Sequence, residues 1–207
     1  MATSPEPQLK VSLATPSDLP SIGTLHARAF HAKSAWHLKT FPPSVSTWWI
    51  AKYTPDISDP AVHLLKVSSP SSPNTVIGLL CLRKYTANER GAGRWSTITP
   101  STEQVDPEIY AAMIKSMLDY RVEYMLGRDH FCIDHFGVDS QVQGKGFGGL
   151  LLGRACEIAD EEGVDVFVMA NEHAVSFYEK FEFMTEGREI MKGGMVECFL
   201  VRRYGVR

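Results

Sequence analysis

The sequence has few cysteines, little surplus charge of either sign and no long hydrophobic run, and each shortage closes a class of function. Its four cysteines, Cys81, Cys132, Cys156 and Cys198, stand far apart and form no C-x-x-C pair. A disulfide framework and zinc-ligand spacing are therefore both missing, and reduced, buried thiols with no metal are expected. A formal net charge of −3 over 207 residues gives no general attraction to nucleic acid or to an anionic membrane, so neither is expected as a partner. No apolar run approaches the roughly 18 residues of a membrane helix. The opening "MATSPEPQLK" lacks the apolar region of a signal peptide. These features point to a cytoplasmic enzyme or binding protein, with enough chain and 44% hydrophobic residues for one substantial core.

What is present alternates between strand-like and helix-like patterns. Leu9 to Ala14 alternates as a short strand, and Ser17 or Asp18 is placed to cap a helix carrying Leu19, Ile22, Leu25, Ala29 and Phe30. A second helix is expected from Ser44 to Tyr53, after Pro42-Pro43. "AVHLLKV" and "TVIGLLCLRKY" predict two strands joined by "SSPSSPN", and Thr86 to Thr102 is polar enough for a loop. "DPEIYAAMIKSMLDYRVEYML" predicts an amphipathic helix with Pro107 in its first turn and Gly127 past its end. "HFCIDHFGV" predicts a strand, followed by a glycine cluster opening a helix that Gly163 ends. "VDVFVMA" predicts a strand buried on both faces, "EHAVSFYEKF" a short helix, and "FMTEGREI" with "MVECFLVRRY" a closing strand pair. The mixed order, with one βαβ unit late in the chain, predicts a single α+β domain over 1–207.

The glycines need a reason, because glycine inside an element is destabilising by roughly 0.5–1 kcal/mol relative to alanine. Gly144, Gly146, Gly148 and Gly149 crowd one strand-to-helix junction. A nucleotide P-loop would need a glycine five positions before Gly144, where Asp139 stands, and Ser or Thr after the lysine, where Gly146 stands. The dinucleotide fingerprint is matched literally by Gly144, Gly146 and Gly149. However, "DSQVQ" separates the strand from the first glycine, and too little chain follows to complete that sheet. The pattern Q/R-x-x-G-x-G/A remains, as Gln141, Gly144 and Gly146. Consecutive backbone N–H groups from Gln143 to Gly148, through Lys145 and Phe147, would then face a pyrophosphate at a helix N-terminus. Lys145 adds a positive charge to that loop.

With that pattern the chain resembles the GNAT superfamily of N-acetyltransferases. "FGVDSQVQGKGFGGLLL" is similar to the superfamily's strand, pyrophosphate loop and helix. "NEHAVSFYEKFEF" is similar to its later helix motif through Asn171, Ala174, Tyr178 and Phe183, with the buried strand between the two in the expected order. Two positions depart: Ser140 stands where the superfamily usually has proline, and Glu182 where it has glycine before the final phenylalanine. The resemblance implies a mixed, splayed sheet flanked by helices, with residues 8–126 forming the acceptor half and 130–204 the acetyl-CoA half. It implies acetyl-CoA as co-substrate, with the main chain of Phe136, Gly137 and Val138 against its pantetheine and thioester, and Asn171 bonding the pantetheine.

The same resemblance implies an enzyme that moves an acetyl group to an amine by direct attack in a ternary complex. A tyrosine is protonated at neutral pH, and Tyr178 occupies the position of the residue expected to protonate the leaving thiolate. On an alternating strand Asp134 shares a face with Phe136 and Val138, opposite His135. Asp134 aligns with the substrate-side histidine of relatives that acetylate arylalkylamines, and either base or attracting charge fits it. Phe30, Trp36 and Trp49 stand in an aromatic-rich segment, "RAFHAKSAWHLKTFPPSVSTWWIAKY", which the resemblance puts over the acceptor. A small-molecule primary amine is therefore expected as acceptor, and a monomer or homodimer. A peptide N-terminal acetyltransferase and a non-catalytic acyl-CoA-binding module are the alternatives.

Overall fold

The sheet is bounded by its first and sixth strands in chain order, and its one parallel pair lies between them. In the computed structural model, which describes residues 10–30, 34–89 and 105–206, a seven-stranded sheet runs in the order β1-β2-β3-β4-β5-β7-β6. The strands are β1 Ser12–Leu13, β2 Val62–Ser69, β3 Ser72–Tyr85, β4 His130–Val138, β5 Asp165–Asn171, β6 Met184–Ile190 and β7 Val196–Arg202. β4 and β5 pair in parallel and all other neighbours are antiparallel. The helices are α1 Leu19–Phe30, α2 Ala35–Thr40, α3 Ser46–Asp56, α4 Pro107–Met125, α5 Phe147–Glu162 and α6 Val175–Glu179.

Strand alternation sorts the core into two layers. Leu65, Leu80, Leu82, Phe131 and Ile133 meet Leu151, Leu152 and Ala155 of α5 on one face. Leu64, Leu79 and Cys81 meet α1, α3 and α4 on the other, through Ile22, Leu25, Trp49 and Met113. Burying a leucine such as Leu151 or Leu152, both with no exposed surface, is worth about 1.5–3 kcal/mol. α5 is thereby fixed beneath β2 to β5. All four cysteines are free and buried, as the spacing predicts.

Several boundaries move. Thr15 rather than Ser17 or Asp18 precedes the first helical turn, and the Asp18 carboxylate accepts from the Thr15 N–H at 2.7 Å. Proline at 16 opens that turn instead of merely ending the strand, because its missing N–H is one the first turn leaves unpaired. "SSPSSPN" is mostly strand, with the turn confined to Pro70 and Ser71. Leu9 and most of the expected 86–102 loop lie outside the described residues.

A bulge alters β4. Cys81 stands opposite His135, and Leu82 opposite Ile133, so Asp134 is the extra residue. The alternation expected from the sequence fails here. Asp134 and His135 both turn toward α1 and α3, while Phe136 returns to the α5 face.

Candidate active site

β4 and β5 pair only as far as Ile133 and Val168, although β4 continues to Val138 and β5 to Asn171. Beyond that point the backbone groups of residues 134–138 that face β5 have no ladder partner there. The gap opens into a cavity of about 840 Å³, lined on one side by Phe136, Gly137 and Val138 and on the other by Met169 to Asn171.

At the α5 end of the cavity lies the glycine loop. Gly144 and Gly146 have φ of 80° and 89°, a region that glycine enters readily and L-residues avoid. Added side chains would meet nothing within 4 Å there, so the glycines are required by backbone conformation and leave open space in front of the loop. Gly146 caps α5, whose first N–H groups have no intrahelical partner. Gly144, Gly146, Phe147 and Gly148 all line the cavity. Gln143 is a brace as well as a lining residue, donating through Nε2 to the carbonyls of Val138 at 2.8 Å and Ala29 at 3.3 Å. Gln141 and Lys145 are exposed and stand outside the cavity wall.

The two departures from the superfamily pattern have physical answers. The Ser140 N–H donates to the Arg28 carbonyl at 3.1 Å, a bond that proline at this position lacks. Arg28 also grips Asp139 at 2.7 Å, so this loop is tied to α1 by hydrogen bonds. Glu182 adopts the left-handed conformation at φ 66°, the one non-glycine among the described residues to do so. The turn therefore forms despite the strain expected for a residue with a Cβ.

Asn171 heads the turn into α6 but makes no capping bond with its side chain, which leaves the amide for a ligand at the cavity wall. Tyr178 lines the same cavity and packs against Phe136, Phe177 and Phe183. Its hydroxyl pKa is raised, by burial first and by the charge of Glu197 second.

The far end of the cavity is aromatic. Phe30 stacks on His37 with ring centres 4.5 Å apart, and Trp49 lies 4.8 Å from the His135 ring. Trp36 donates through Nε1 to the Lys192 carbonyl at 3.3 Å. All three expected acceptor residues, Phe30, Trp36 and Trp49, line the cavity. Trp49 is also a core residue, only 2% exposed. His135 is held neutral, its pKa pushed down to about 3 by burial, Lys52 and His37.

Asp134 differs from its expected placing. The bulge turns it away from Phe136 and Val138, and Arg83 donates to its Oδ2 at 2.7 Å while also meeting Asp56 at 3.0 Å. The Asp134 side chain has 0% exposure, so it touches the cavity only through its backbone. A carboxylate sealed beneath the floor cannot meet an acceptor directly. Sequence reasoning passed over Glu197 on β7, which lines the cavity and is 5% exposed. It also passed over the α4 residues Met113 and Met117. No group of potential metal ligands occurs among the described residues.

The family model described as "Acetyltransferase (GNAT) family" matches residues 35–183, which span the aromatic segment from Ala35 onward, the loop and the Tyr178 turn. The chain belongs to the GNAT family of acetyltransferases. It is accordingly an acetyl-CoA-dependent acetyltransferase of the GNAT type. No curated protein matches it in sequence. Among solved structures it is similar to a mosquito arylalkylamine N-acetyltransferase like 5b, at 12% identity and a TM-score of 0.66 over 94% of this chain and 99% of that one. It is also similar to Arabidopsis thaliana NAA60 in complex with acetyl-CoA, at 12% identity, TM-score 0.58, over 94% and 97%. The PaiA N-acetyltransferase of Thermoplasma acidophilum in complex with coenzyme A matches at 13% identity, TM-score 0.56, over 95% and 99%. At these identities the likeness is one of fold, and the seven-stranded open sheet is the GNAT fold.

The GNAT site fits acetyl-CoA on its own geometry. The left-handed glycines, the unpaired N–H groups of α5 and the free edge of β4 form one continuous polar track beside the cavity. No helix among the described residues is long and apolar enough to cross a membrane.

Proposed function

We propose that this acetyltransferase acts on the primary amine of a small molecule, by direct attack while both substrates are bound. The observation that carries the reading is the single cavity running from the glycine loop, through the gap between β4 and β5, into the aromatic chamber. A donor laid along the loop and β4 would bring its thioester to the gap. An acceptor entering among Phe30, Trp36 and Trp49 would meet it there. Aromatic walls favour an acceptor with an apolar or planar body.

In this reading the loop from Gln143 to Gly148 binds the pyrophosphate, and Asn171 and the free β4 edge from Phe136 to Val138 orient the pantetheine and thioester. Gln141 and Lys145, outside the wall, contribute only at the outer rim. Tyr178 donates a proton to the leaving sulfur, which an unionised hydroxyl at this position can do at neutral pH. Asp134 acts through Arg83 by fixing the chamber floor.

The test is release of free CoA from acetyl-CoA across a panel of phenethylamine, hexylamine, benzylamine and short peptides with free N-termini. Turnover with the small amines and little with peptides is expected. Preference for the peptides would replace the small-molecule reading with peptide N-terminal acetylation. Tight acetyl-CoA binding with no turnover on any amine would make the chain an acyl-CoA-binding module.

A further inference from the structure

Glu197 stands at the edge of the aromatic chamber with an unusual set of neighbours. On β7 it lies directly opposite Asn171 of β5, so the two share a face. That face also carries Met169, and the cavity wall around it is completed by Met113 and Met117 of α4 and by Met195. Among the described residues the Glu197 carboxylate has neither a hydrogen-bond partner nor a counter-ion, although a buried carboxylate ordinarily has one. It is the one acidic side chain that both lines the cavity and stands free there. Asp134, the other acidic residue on the wall, is sealed and paired with Arg83.

We propose that Glu197 is the base that takes a proton from the acceptor's amine nitrogen, with the methionines around it receiving the apolar part of the acceptor beside that nitrogen. This rests on the amine-acetylating reading above. An ammonium supplies the missing partner, and flexible, polarisable methionines accommodate apolar bodies of different shape. The step balances as follows. Glu197 takes one proton from the ammonium, and the freed lone pair forms the C–N bond. The C–S bond breaks with its electron pair passing to sulfur, which takes the Tyr178 proton. The second nitrogen proton restores Tyr178, and the proton on Glu197 leaves to solvent.

The groups around Glu197 leave it available for this role. From β6, Glu189 lies opposite, but its Oε2 is taken by the Ser116 hydroxyl of α4 at 2.7 Å. From α6 come the Tyr178 hydroxyl and, past the helix end, Lys180 on the cavity wall. From β4 come neutral His135 and paired Asp134; α4 contributes methionines. Burial alone pushes the Glu197 pKa up to about 8. A base near 8 is better matched to an ammonium near 10 than an ordinary carboxylate near 4. An arriving cation then favours the charged carboxylate.

The experiment is the pH profile of kcat/KM for wild type, Glu197→Gln and Glu189→Gln, with phenethylamine and with benzylamine, which has a lower pKa. Circular dichroism and acetyl-CoA calorimetry check the fold of each variant. Wild type should show an acidic limb near pH 8 that stays in place for both amines. Glu197→Gln should lose that limb and about 100-fold in kcat/KM, with acetyl-CoA affinity unchanged, while Glu189→Gln keeps the limb. If Glu197→Gln does not fold, Glu197→Asp should keep the limb and lose kcat. A Glu197→Gln enzyme within threefold of wild type, a limb that tracks the amine, or a limb lost in Glu189→Gln would overturn the proposal alone. Wild type inactive on every amine would overturn the amine reading and this proposal with it.

Discussion

Burial, then the charge of Glu197, pushes the Tyr178 hydroxyl above the ordinary tyrosine value, so this side chain holds its proton throughout the neutral range. Tyr178→Phe keeps the ring packed on Phe136 and Phe183 and removes only the donor. A fall in kcat of about 10²-fold is expected, toward the low end for positioned acid catalysis because a thiolate is a good leaving group. Calorimetry should find acetyl-CoA affinity nearly unchanged. Glu182 allows a second single-residue test. Releasing its left-handed strain with Glu182→Gly gains about 1–2 kcal/mol and loses roughly 0.5–1 kcal/mol to glycine's unfolded-state freedom. Chemical denaturation should therefore find the variant equal to or slightly more stable than wild type. Tyr178 was legible from sequence because it sits in a spaced motif with Asn171 and Phe183. Glu197 was not, since a lone glutamate between Val196 and Cys198 resembles any solvent-facing position of an alternating strand. Only the pairing of β7 between β5 and β6, with a cavity above, makes it unusual.

Among the elements, the loop before α5 carries a sharp expectation. Gly146→Val forces a β-branched residue to φ near 89° and crowds the space before the helix N-terminus. The variant should keep its circular dichroism and lose acetyl-CoA binding by calorimetry; unchanged affinity would remove the loop from the donor site. The floor of the acceptor chamber carries another. Arg83→Met leaves the Asp134 carboxylate buried without the guanidinium that pairs with it, and breaking a buried pair from one side costs about 3–5 kcal/mol. Urea unfolding measures that loss. Helices α1, α4 and α5 and strands β4 and β5 were legible because periodicity, Pro107, Gly127 and Gly163 mark them locally. The six-residue α2 is too short to show a period. The β4 bulge depends on register against β3, which no local pattern in "HFCIDHFGV" records. That single extra residue puts Asp134 on the face opposite to the one strand alternation predicts.

For the whole molecule, two buried groups set opposite slopes of stability against pH. The His135 pKa falls from 6.5 to about 3 on folding, so its contribution is present above pH 6.5 and is lost as pH falls toward 3. The Glu197 pKa rises from 4.5 to about 8, so its contribution is complete below pH 4.5 and is lost as pH rises through 8. Each is worth a few kcal/mol at most. Thermal unfolding should therefore show greatest stability between roughly pH 4.5 and 6.5, where the two slopes cancel, and Glu197→Gln should flatten the alkaline side. Both groups face the cavity that joins the two halves of the sheet. The central claim is that donor and acceptor meet in that cavity at the same time. All four cysteines are buried with raised thiol pKa values, which disfavours an acetylated thiol on the way. The most direct test is initial velocity with acetyl-CoA and phenethylamine both varied. Intersecting reciprocal plots, with no acetylated protein in the mass spectrum of enzyme incubated with acetyl-CoA alone, are the expected result. Parallel plots together with a stable acetyl-enzyme would contradict it.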